Sequence, residues 1–247
     1  MNKFYWLIIV AFILMQLSPI AIIPVLMALG FDGSMQELSG TALSIGFTLG
    51  FIVITLLAWR AKPNPALSEN QANVPKTVLW SILGIFLAFA AQYAAAIVES
   101  VVFGIEPGSE NTEVIVDLAN AAPFVIFIVA ILGPVIEEIV FRMVIFGALF
   151  KKFGFWIAAL GSGFAFAVIH LDFEHLLVYL AMGIVFAWLY VKTKRIIVPI
   201  IAHVGINSFV MLVQVIYGDE LQDLMEQLEQ MDESALSALM ILGRLFI

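Results

Sequence analysis

Two adjacent carboxylates and a guanidinium lie within six residues of an otherwise apolar segment, as Glu137, Glu138 and Arg142. Apolar runs long enough to cross a bilayer flank this segment on both sides. An ionisable side chain in the hydrocarbon core costs at least about 2.5–3.5 kcal/mol on insertion scales. Three such groups so close together therefore form a candidate functional site.

Four of the polar residues in the apolar runs form two pairs with helical spacing. Glu138 and Arg142 are four residues apart, and so are His203 and Asn207. Residues at this spacing lie on the same face of a helix, so the members of each pair can act together. Pairing also lowers the cost of holding Glu138 and Arg142 in lipid.

Glu137 needs a partner on another helix, because it is turned by about 100° from Glu138 on its own helix. His170 and His203 are the candidate partners. A carboxylate and an imidazole in a pocket of low dielectric can hold and deprotonate a water molecule. The imidazole of His203 and the amide of Asn207 can donate hydrogen bonds to a developing oxyanion. The set is suited to the hydrolysis of a carbonyl compound, for which an amide bond is the obvious candidate.

Each of these residues also has a non-catalytic interpretation. Glu138 and Arg142 can brace the helix bundle, and Asn207 can be an interhelical hydrogen-bond donor. His175 lies between acidic residues and is interpreted as interfacial, without a part in the chemistry. Buried Glu and His side chains also build proton or ion pathways. A membrane sensor or scaffold that binds a peptide or partner protein would use the same pocket without turnover.

The composition predicts an all-α, polytopic transmembrane helix bundle. The chain has 247 residues, of which 63% are hydrophobic and 12% are charged, and its mean hydropathy is +1.08. A soluble domain of this size cannot bury so much apolar surface. The long continuous apolar runs exclude a β-barrel of short alternating strands. Because the chain has no cysteine, disulfides and thiolate chemistry are excluded.

Seven apolar runs are near the length of about 20 residues that one crossing requires. They cover roughly 4–29, 41–59, 77–98, 118–150, 155–171, 175–191 and 196–217. We therefore expect seven spans in a single membrane-embedded domain, 1–217, with its motif core at 118–210. Residues 218–247 are expected to form an acidic amphipathic tail or a partial eighth helix. The glycines of the Gly46-xxx-Gly50 motif predict close packing of two helices.

The positions of the basic residues predict the orientation. Nine of the eleven Lys and Arg residues lie in the N-terminal segment and in alternate connections. They are Lys3, Arg60, Lys62, Lys76, Lys151, Lys152, Lys192, Lys194 and Arg195. The positive-inside rule assigns these positions, and hence the N-terminus, to the cytoplasmic side of the cell membrane. The basic residues are too dispersed for a nucleic-acid interface, and the short loops favour a bacterial protein.

Three motifs resemble those of the CPBP family, named for CAAX proteases and bacteriocin-processing enzymes and also called the Abi family. Its members share EExxxR, FxxxH and HxxxN motifs on separate membrane helices. In this chain the motifs are formed, in this order, by 137–142, 166–170 and 203–207. The resemblance covers about 118–210, whereas the first three runs match only in being apolar.

The resemblance implies an intramembrane endopeptidase that acts on a peptide or membrane-protein substrate. In such an enzyme Glu137 and His170 would position and activate the water. His203 and Asn207 would form the oxyanion hole.

The resemblance also implies that Glu138 and Arg142 organise the site and that no metal cofactor is needed. A zinc-dependent alternative would use Glu137, His170 and His203 as ligands. The amide one turn after His203 suits an oxyanion donor better than a zinc ligand.

Overall fold

The computed structural model describes residues 3–105 and 109–229, without the side chains of residues 110 and 219–229. No strand is present in these ranges, and this confirms the all-α class. The long helices are α1 (Lys3–Ala28), α2 (Met35–Arg60), α3 (Val74–Phe103), α4 (Glu110–Ala121), α5 (Phe124–Val168), α6 (Leu176–Thr193) and α7 (Ile197–Glu229).

The expected count of seven spans is wrong. In the described part of the chain, six helices are long and apolar enough to cross a membrane, namely α1, α2, α3, α5, α6 and the Ile197–Gly218 part of α7. The predicted runs 118–150 and 155–171 largely coincide with the single helical stretch α5. The first few residues of the 118–150 run belong instead to α4, because the helix is interrupted at Ala122 and Pro123.

The α5 stretch folds back on itself at Gly154. This residue has φ of 76° and ψ of −171°, a backbone conformation that glycine adopts without a steric penalty. The rings of Phe141 and Phe166 are 5.5 Å apart, whereas a straight helix would separate the two residues by about 37 Å. The second arm, 155–168, is only about 21 Å long. It is shorter than the hydrocarbon core of about 30 Å and does not count as a full span.

The glycines of the GxxxG motif allow α1 to pack closely on α2, as the motif predicts. A Cβ atom at Gly46 would lie 1.9 Å from Oγ of Ser18, and one at Gly50 would lie 2.5 Å from the side chain of Met15. Neither distance is compatible with a real side chain at these positions. The contact between the first two helices therefore depends on both glycines.

The bundle has two distinct ends. We call the end formed by the connection 61–73, the turn at Gly154 and the connection 194–196 the basic end. We call the opposite end, formed by the connections 29–34 and 169–175, the acidic end. The names follow the charges that the sequence places there.

The connection 61–73 closes the basic end, although its sequence resembles a simple linker. Leu67 is 1% exposed and packs in a cluster with Phe146 and Tyr190. The side-chain amide of Asn64 donates a hydrogen bond of 3.0 Å to the carbonyl of Gly147. These contacts tie the connection to α5 and α6 and cover the helix ends there.

The last helix continues past residue 217, where the sequence analysis places the end of the membrane domain, to Glu229, the last described residue. The remaining residues of the expected tail or partial eighth helix, 230–247, lie outside the described residues.

Candidate active site

Two π-helical segments interrupt the first arm of α5 near its charged residues. They span Ile128–Leu132 and Glu138–Phe146, with the α-helical turn Gly133–Glu137 between them. A π-helix widens the turn and frees backbone groups from the regular i→i−4 pattern, and such segments are frequent at functional sites. Glu137, the first residue of the first motif, is therefore the last residue of the α-helical turn, and Glu138 begins the second π-helical segment.

Glu138 and Arg142 form the ion pair that their spacing predicts. Nε of Arg142 lies 3.3 Å from Oε2 of Glu138, and both side chains are 0% exposed. The guanidinium carbon lies 4.5 Å from the ring centroid of Phe166 and 5.3 Å from that of Phe186. The buried cation is thus held by one carboxylate and two aromatic rings.

His203 lies between the two carboxylates of the first motif. Its Nδ1 atom is 3.0 Å from Oε1 of Glu138, a hydrogen-bond distance, and its Nε2 atom is 3.7 Å from Oε2 of Glu137. The ring carries nitrogen atoms on two edges, so a single imidazole reaches two carboxylates that point about 100° apart. Of the two partners expected for Glu137, His203 is therefore in direct reach. The additional bond between Glu138 and His203 was not predicted.

His170 lies just after the second arm of α5. Its Nδ1 atom is 2.8 Å from the carbonyl oxygen of Phe166. Because a carbonyl only accepts hydrogen bonds, Nδ1 carries the proton and Nε2 of the neutral ring has a free lone pair. The ring stacks on Tyr179 at a centroid distance of 4.1 Å. Backbone and aromatic contacts thus fix both the tautomer and the orientation of His170.

Asn207 lies one turn after His203 and faces the first π-helical segment. Its Nδ2 atom donates to the carbonyl of Val129 at 3.3 Å, and the hydroxyl of the adjacent Ser208 donates to the carbonyl of Ala130 at 3.4 Å. The interhelical interpretation of Asn207 thus has a structural basis. A carboxamide has two N–H groups, so this bond leaves a second donor for another acceptor.

A cavity of about 740 Å³ joins these residues. Glu137, His170, His203 and Asn207, the four residues proposed from the sequence as catalytic, all line it. Its walls also include apolar side chains of α1, α2, α3 and α4. An apolar cavity with a few convergent polar groups is typical of a substrate-binding site.

The zinc alternative has no matching geometry. Among the residues that the structure describes, no group of three His, Asp or Glu side chains could hold a metal ion. Zinc would require donor atoms of Glu137, His170 and His203 at about 2 Å from one point. In the described residues the three side chains do not meet this requirement.

A second polar cluster surrounds the cavity at the acidic end, and the sequence analysis did not predict it. Glu99, which was assigned to a connection, is 2% exposed. Its carboxylate accepts hydrogen bonds from the backbone N–H groups of Leu177 and Val178, at 2.9 and 3.2 Å, and its Oε2 atom is 3.0 Å from Nδ1 of His175. Glu99 therefore caps the first turn of α6, a favourable place for a negative charge.

The same cluster contains a second carboxylate. Asp172 accepts hydrogen bonds from the hydroxyls of Ser109 and Tyr179, at 2.7 and 3.4 Å. His175, interpreted from the sequence as interfacial and without a part in the chemistry, lines the cavity and contacts Glu99. Its pKa is raised, chiefly by the hydrogen bond with that carboxylate.

Two glutamine side chains in spanning helices also line the cavity and were missing from the sequence-based set. They are Gln16 in α1 and Gln92 in α3. Both interrupt apolar runs, and this is the signal that could have identified them. The analysis overlooked them because it concentrated on ionisable groups and on the three motifs.

Comparison with known proteins places these features in a family. A family model described as Type II CAAX prenyl endopeptidase Rce1-like matches residues 119–209, which contain all three motifs. The chain is 42% identical over 221 residues to the putative membrane peptidase YdiL of Bacillus subtilis (strain 168). That alignment covers 87% of this chain and 90% of the relative.

Two other curated proteins are similar to the chain. The membrane-embedded CAAX protease MroQ of Staphylococcus aureus (strain USA300) is 36% identical over 232 residues, which cover 90% of this chain and 93% of the relative. The UPF0177 protein YxdF of Lactococcus lactis subsp. lactis (strain IL1403) is 28% identical over 165 residues, covering 66% and 90%. No solved structure matches the chain. The matched motifs and the nearly full-length similarity to two curated relatives show that the chain belongs to the Rce1-like (CAAX protease, CPBP) family of membrane proteases.

Proposed function

We propose that the protein is an intramembrane endopeptidase that hydrolyses a peptide bond with a water molecule activated by Glu137 and His170. The observation that carries the proposal is the convergence of Glu137 and His203, whose Oε2 and Nε2 atoms are 3.7 Å apart, in a cavity that His170 and Asn207 also line. The cavity is large enough for several residues of a peptide, since ligand sites have volumes of about 300–1,000 Å³.

The two groups that handle the water have complementary roles. Glu137 is the general base because its side chain is 17% exposed and faces the cavity, whereas Glu138 is fully buried. His170 holds its Nδ1 proton on the Phe166 carbonyl, so its Nε2 lone pair can accept a hydrogen bond from the water. This arrangement orients one water proton toward each acceptor.

His203 lies between the two carboxylates, with Nδ1 toward Glu138 and Nε2 toward Glu137. In the proposed reaction its Nδ1–H donates to Glu138, and its Nε2 atom presents an N–H to the substrate.

The reaction then proceeds in two steps. Glu137 accepts a proton from the water while the water oxygen bonds to the scissile carbonyl carbon, and the carbonyl oxygen becomes an oxyanion. The Nε2–H of His203 and the second N–H of Asn207 donate to this oxyanion. As the C–N bond breaks, the proton held by Glu137 passes to the leaving nitrogen, so the products are a carboxylic acid and an amine.

We also propose that the N-terminus is cytoplasmic and that the substrate enters from the extracytoplasmic side. The positive-inside rule places the basic end in the cytoplasm, and the connection 61–73 covers that end. The cavity instead reaches Ile105, Ser109 and Asn111 at the acidic end. A bound segment would thus approach Glu137 from the acidic end.

Turnover by purified protein in detergent tests the function. A panel of quenched fluorogenic peptides, each with an apolar segment of about ten residues, is compared for the wild type, Glu137→Gln and His170→Ala. We expect kcat of Glu137→Gln to fall by at least about 100-fold, because a general base contributes about 10²–10⁴-fold. Thermal unfolding should be nearly unchanged, because the side chain of Glu137 is 17% exposed at the cavity and glutamine keeps its shape.

Three outcomes would reject the proposal. Equal turnover by the wild type and both variants would rule out the assigned base. Peptide binding without turnover by the wild type would instead support the sensor or scaffold alternative. Loss of activity in EDTA that added zinc restores would favour a metal-dependent reaction over this one.

A further inference from the structure

Gln16 and Gln92 are polar side chains that the proposed mechanism does not use. They lie in spanning helices on different walls of the cavity, α1 and α3. Among the described residues, neither side chain has a hydrogen-bond partner. An amide at membrane depth without a partner is costly, and glutamines in spans normally bond to a neighbouring helix.

Gln16 lies at the depth of Glu137. The rings of Phe12 and Phe141 are in contact, with centroids 5.6 Å apart, and they set a common level for α1 and α5. Gln16 follows Phe12 by one turn toward the acidic end. Glu137 precedes Phe141 by one turn and, because α5 runs in the opposite direction, is also displaced toward the acidic end. Both shifts are about 6 Å.

Gln92 lies nearer the acidic end. The rings of Phe89 and Phe209, 5.3 Å apart, set a common level for α3 and α7, which both run toward the acidic end. Gln92 is about 4.5 Å beyond Phe89, and Asn207 is about 3 Å before Phe209. Gln92 is thus about 7 Å closer to the acidic end than Asn207, a distance that about two residues of an extended peptide cover.

We propose that Gln16 and Gln92 are substrate-positioning residues that hydrogen-bond the main chain of the bound peptide. A carboxamide offers both a donor and an acceptor, the same pair that each peptide unit requires. Gln16 would hold the segment beside the scissile bond, and Gln92 would hold it about two residues nearer the acidic end. Main-chain recognition of this kind selects an extended segment and is insensitive to its side chains. This inference rests on the proposed function.

Replacement of each amide by an apolar side chain tests the proposal. For Gln16→Leu and Gln92→Leu we expect KM for the best-cleaved peptide of the fluorogenic panel to rise roughly three- to ten-fold, with kcat nearly unchanged. Thermal stability should stay constant or increase, because leucine is better suited to a span than an unpartnered amide. A merely structural glutamine would instead show a fall in stability with no change in KM.

Methylated substrates show whether the contact is with the peptide main chain. The same peptide is prepared with one N-methylated amide at each position near the scissile bond. At one position we expect N-methylation to raise KM of the wild type but to have no further effect on Gln92→Leu, because the same hydrogen bond is already absent. If N-methylation at every position raises KM of Gln92→Leu by the same factor as KM of the wild type, the assignment is overturned.

Gln214 is the matched control. It lies in the last span, is 6% exposed and does not line the cavity. Gln214→Leu should leave KM unchanged.

If the wild type cleaves no peptide, the proposed function fails, and the binding of the same peptides, measured by fluorescence anisotropy, then tests the inference. Weaker binding by both Gln variants supports it, and equal or absent binding overturns it.

Discussion

Nδ1 of His203 lies 3.0 Å from Oε1 of Glu138, so the first and third sequence motifs form one hydrogen-bonded unit. The same carboxylate is paired with Arg142 through its other oxygen. Glu138 thereby fixes the ring that faces Glu137 while neutralising the buried guanidinium. Removing Glu138 is therefore expected to lower both activity and stability, whereas removing Glu137 is expected to lower activity alone.

We expect Glu138→Ala to lower the free energy of unfolding by about 3–5 kcal/mol, because it leaves Arg142 buried without its counter-ion. Thermal unfolding in detergent measures this loss. The double variant Glu138→Leu/Arg142→Met should recover most of the stability, because it removes both members of the buried ion pair, and should remain inactive. Normal stability of Glu138→Ala would contradict the pairing.

Asn207→Ala distinguishes an oxyanion donor from a simple interhelical bond. If Asn207 donates to the oxyanion, kcat should fall by about 10²–10³-fold, while stability falls by only about 1 kcal/mol. Ser208→Ala is the matched control, since Ser208 makes the equivalent bond to Ala130 and does not line the cavity. Similar turnover by the two variants would reduce Asn207 to a structural role.

Gly183 should be intolerant of even a methyl group. A Cβ atom there would lie 2.9 Å from the Cα atom of Gly163 and 3.6 Å from Nη2 of Arg142. We expect Gly183→Ala to cost about 1–3 kcal/mol and to reduce activity, because α6 must move away from the second arm of α5. Gly161→Ala, which meets only the terminal methyl of Leu149, should be nearly neutral in the same unfolding and turnover assays.

The absence of cysteine allows a direct test of orientation. Single variants Glu113→Cys and Lys151→Cys place an exposed thiol near the acidic and basic ends, respectively. In intact cells, a membrane-impermeant maleimide should label Glu113→Cys at once and Lys151→Cys only after permeabilisation. The reverse pattern would invert the proposed orientation and place the open end of the cavity in the cytoplasm.

His175, which lies just before α6 and outside the spans, should make stability depend on pH. The hydrogen bond with Glu99 raises its pKa above the ordinary 6.5. A raised pKa in the folded state means that protonation favours folding. This contribution is complete below pH 6.5 and is lost as the pH rises through the raised pKa. His175→Gln should flatten the dependence of thermal stability on pH in that window, and an unchanged slope would contradict the contact.

Much of the site was predictable because ionisable side chains are costly in hydrocarbon and therefore rare in apolar runs, where they are easy to identify. Glu137, Arg142 and His203 were identified from residue type alone, and i,i+4 spacing predicted the pair Glu138–Arg142, because such pairs depend only on the helix itself. The bond between His203 and Glu138 was not predictable in this way, since it depends on how two helices are rotated against each other.

The errors have similar physical causes. Gly154 lies between the predicted runs 118–150 and 155–171, and the sequence analysis gave it no special role. Its positive φ turns α5 back on itself, so the second arm, 155–168, is too short to span. Glu99 was placed in a connection because hydropathy alone fixes a helix end only to within a few residues. Its burial follows from the backbone N–H groups of α6, which no pattern within α3 can reveal.

Composition and spacing by themselves determined that this chain is an all-α membrane protein with a polar centre carried by three motifs. Both properties follow from the cost of placing each residue in lipid, which depends on residue type and on position along one helix. Packing decided which end of the bundle is covered and which imidazole reaches Glu137. It also brought Gln16 and Gln92 to the same cavity, since contacts between helices depend on side chains far apart in the chain.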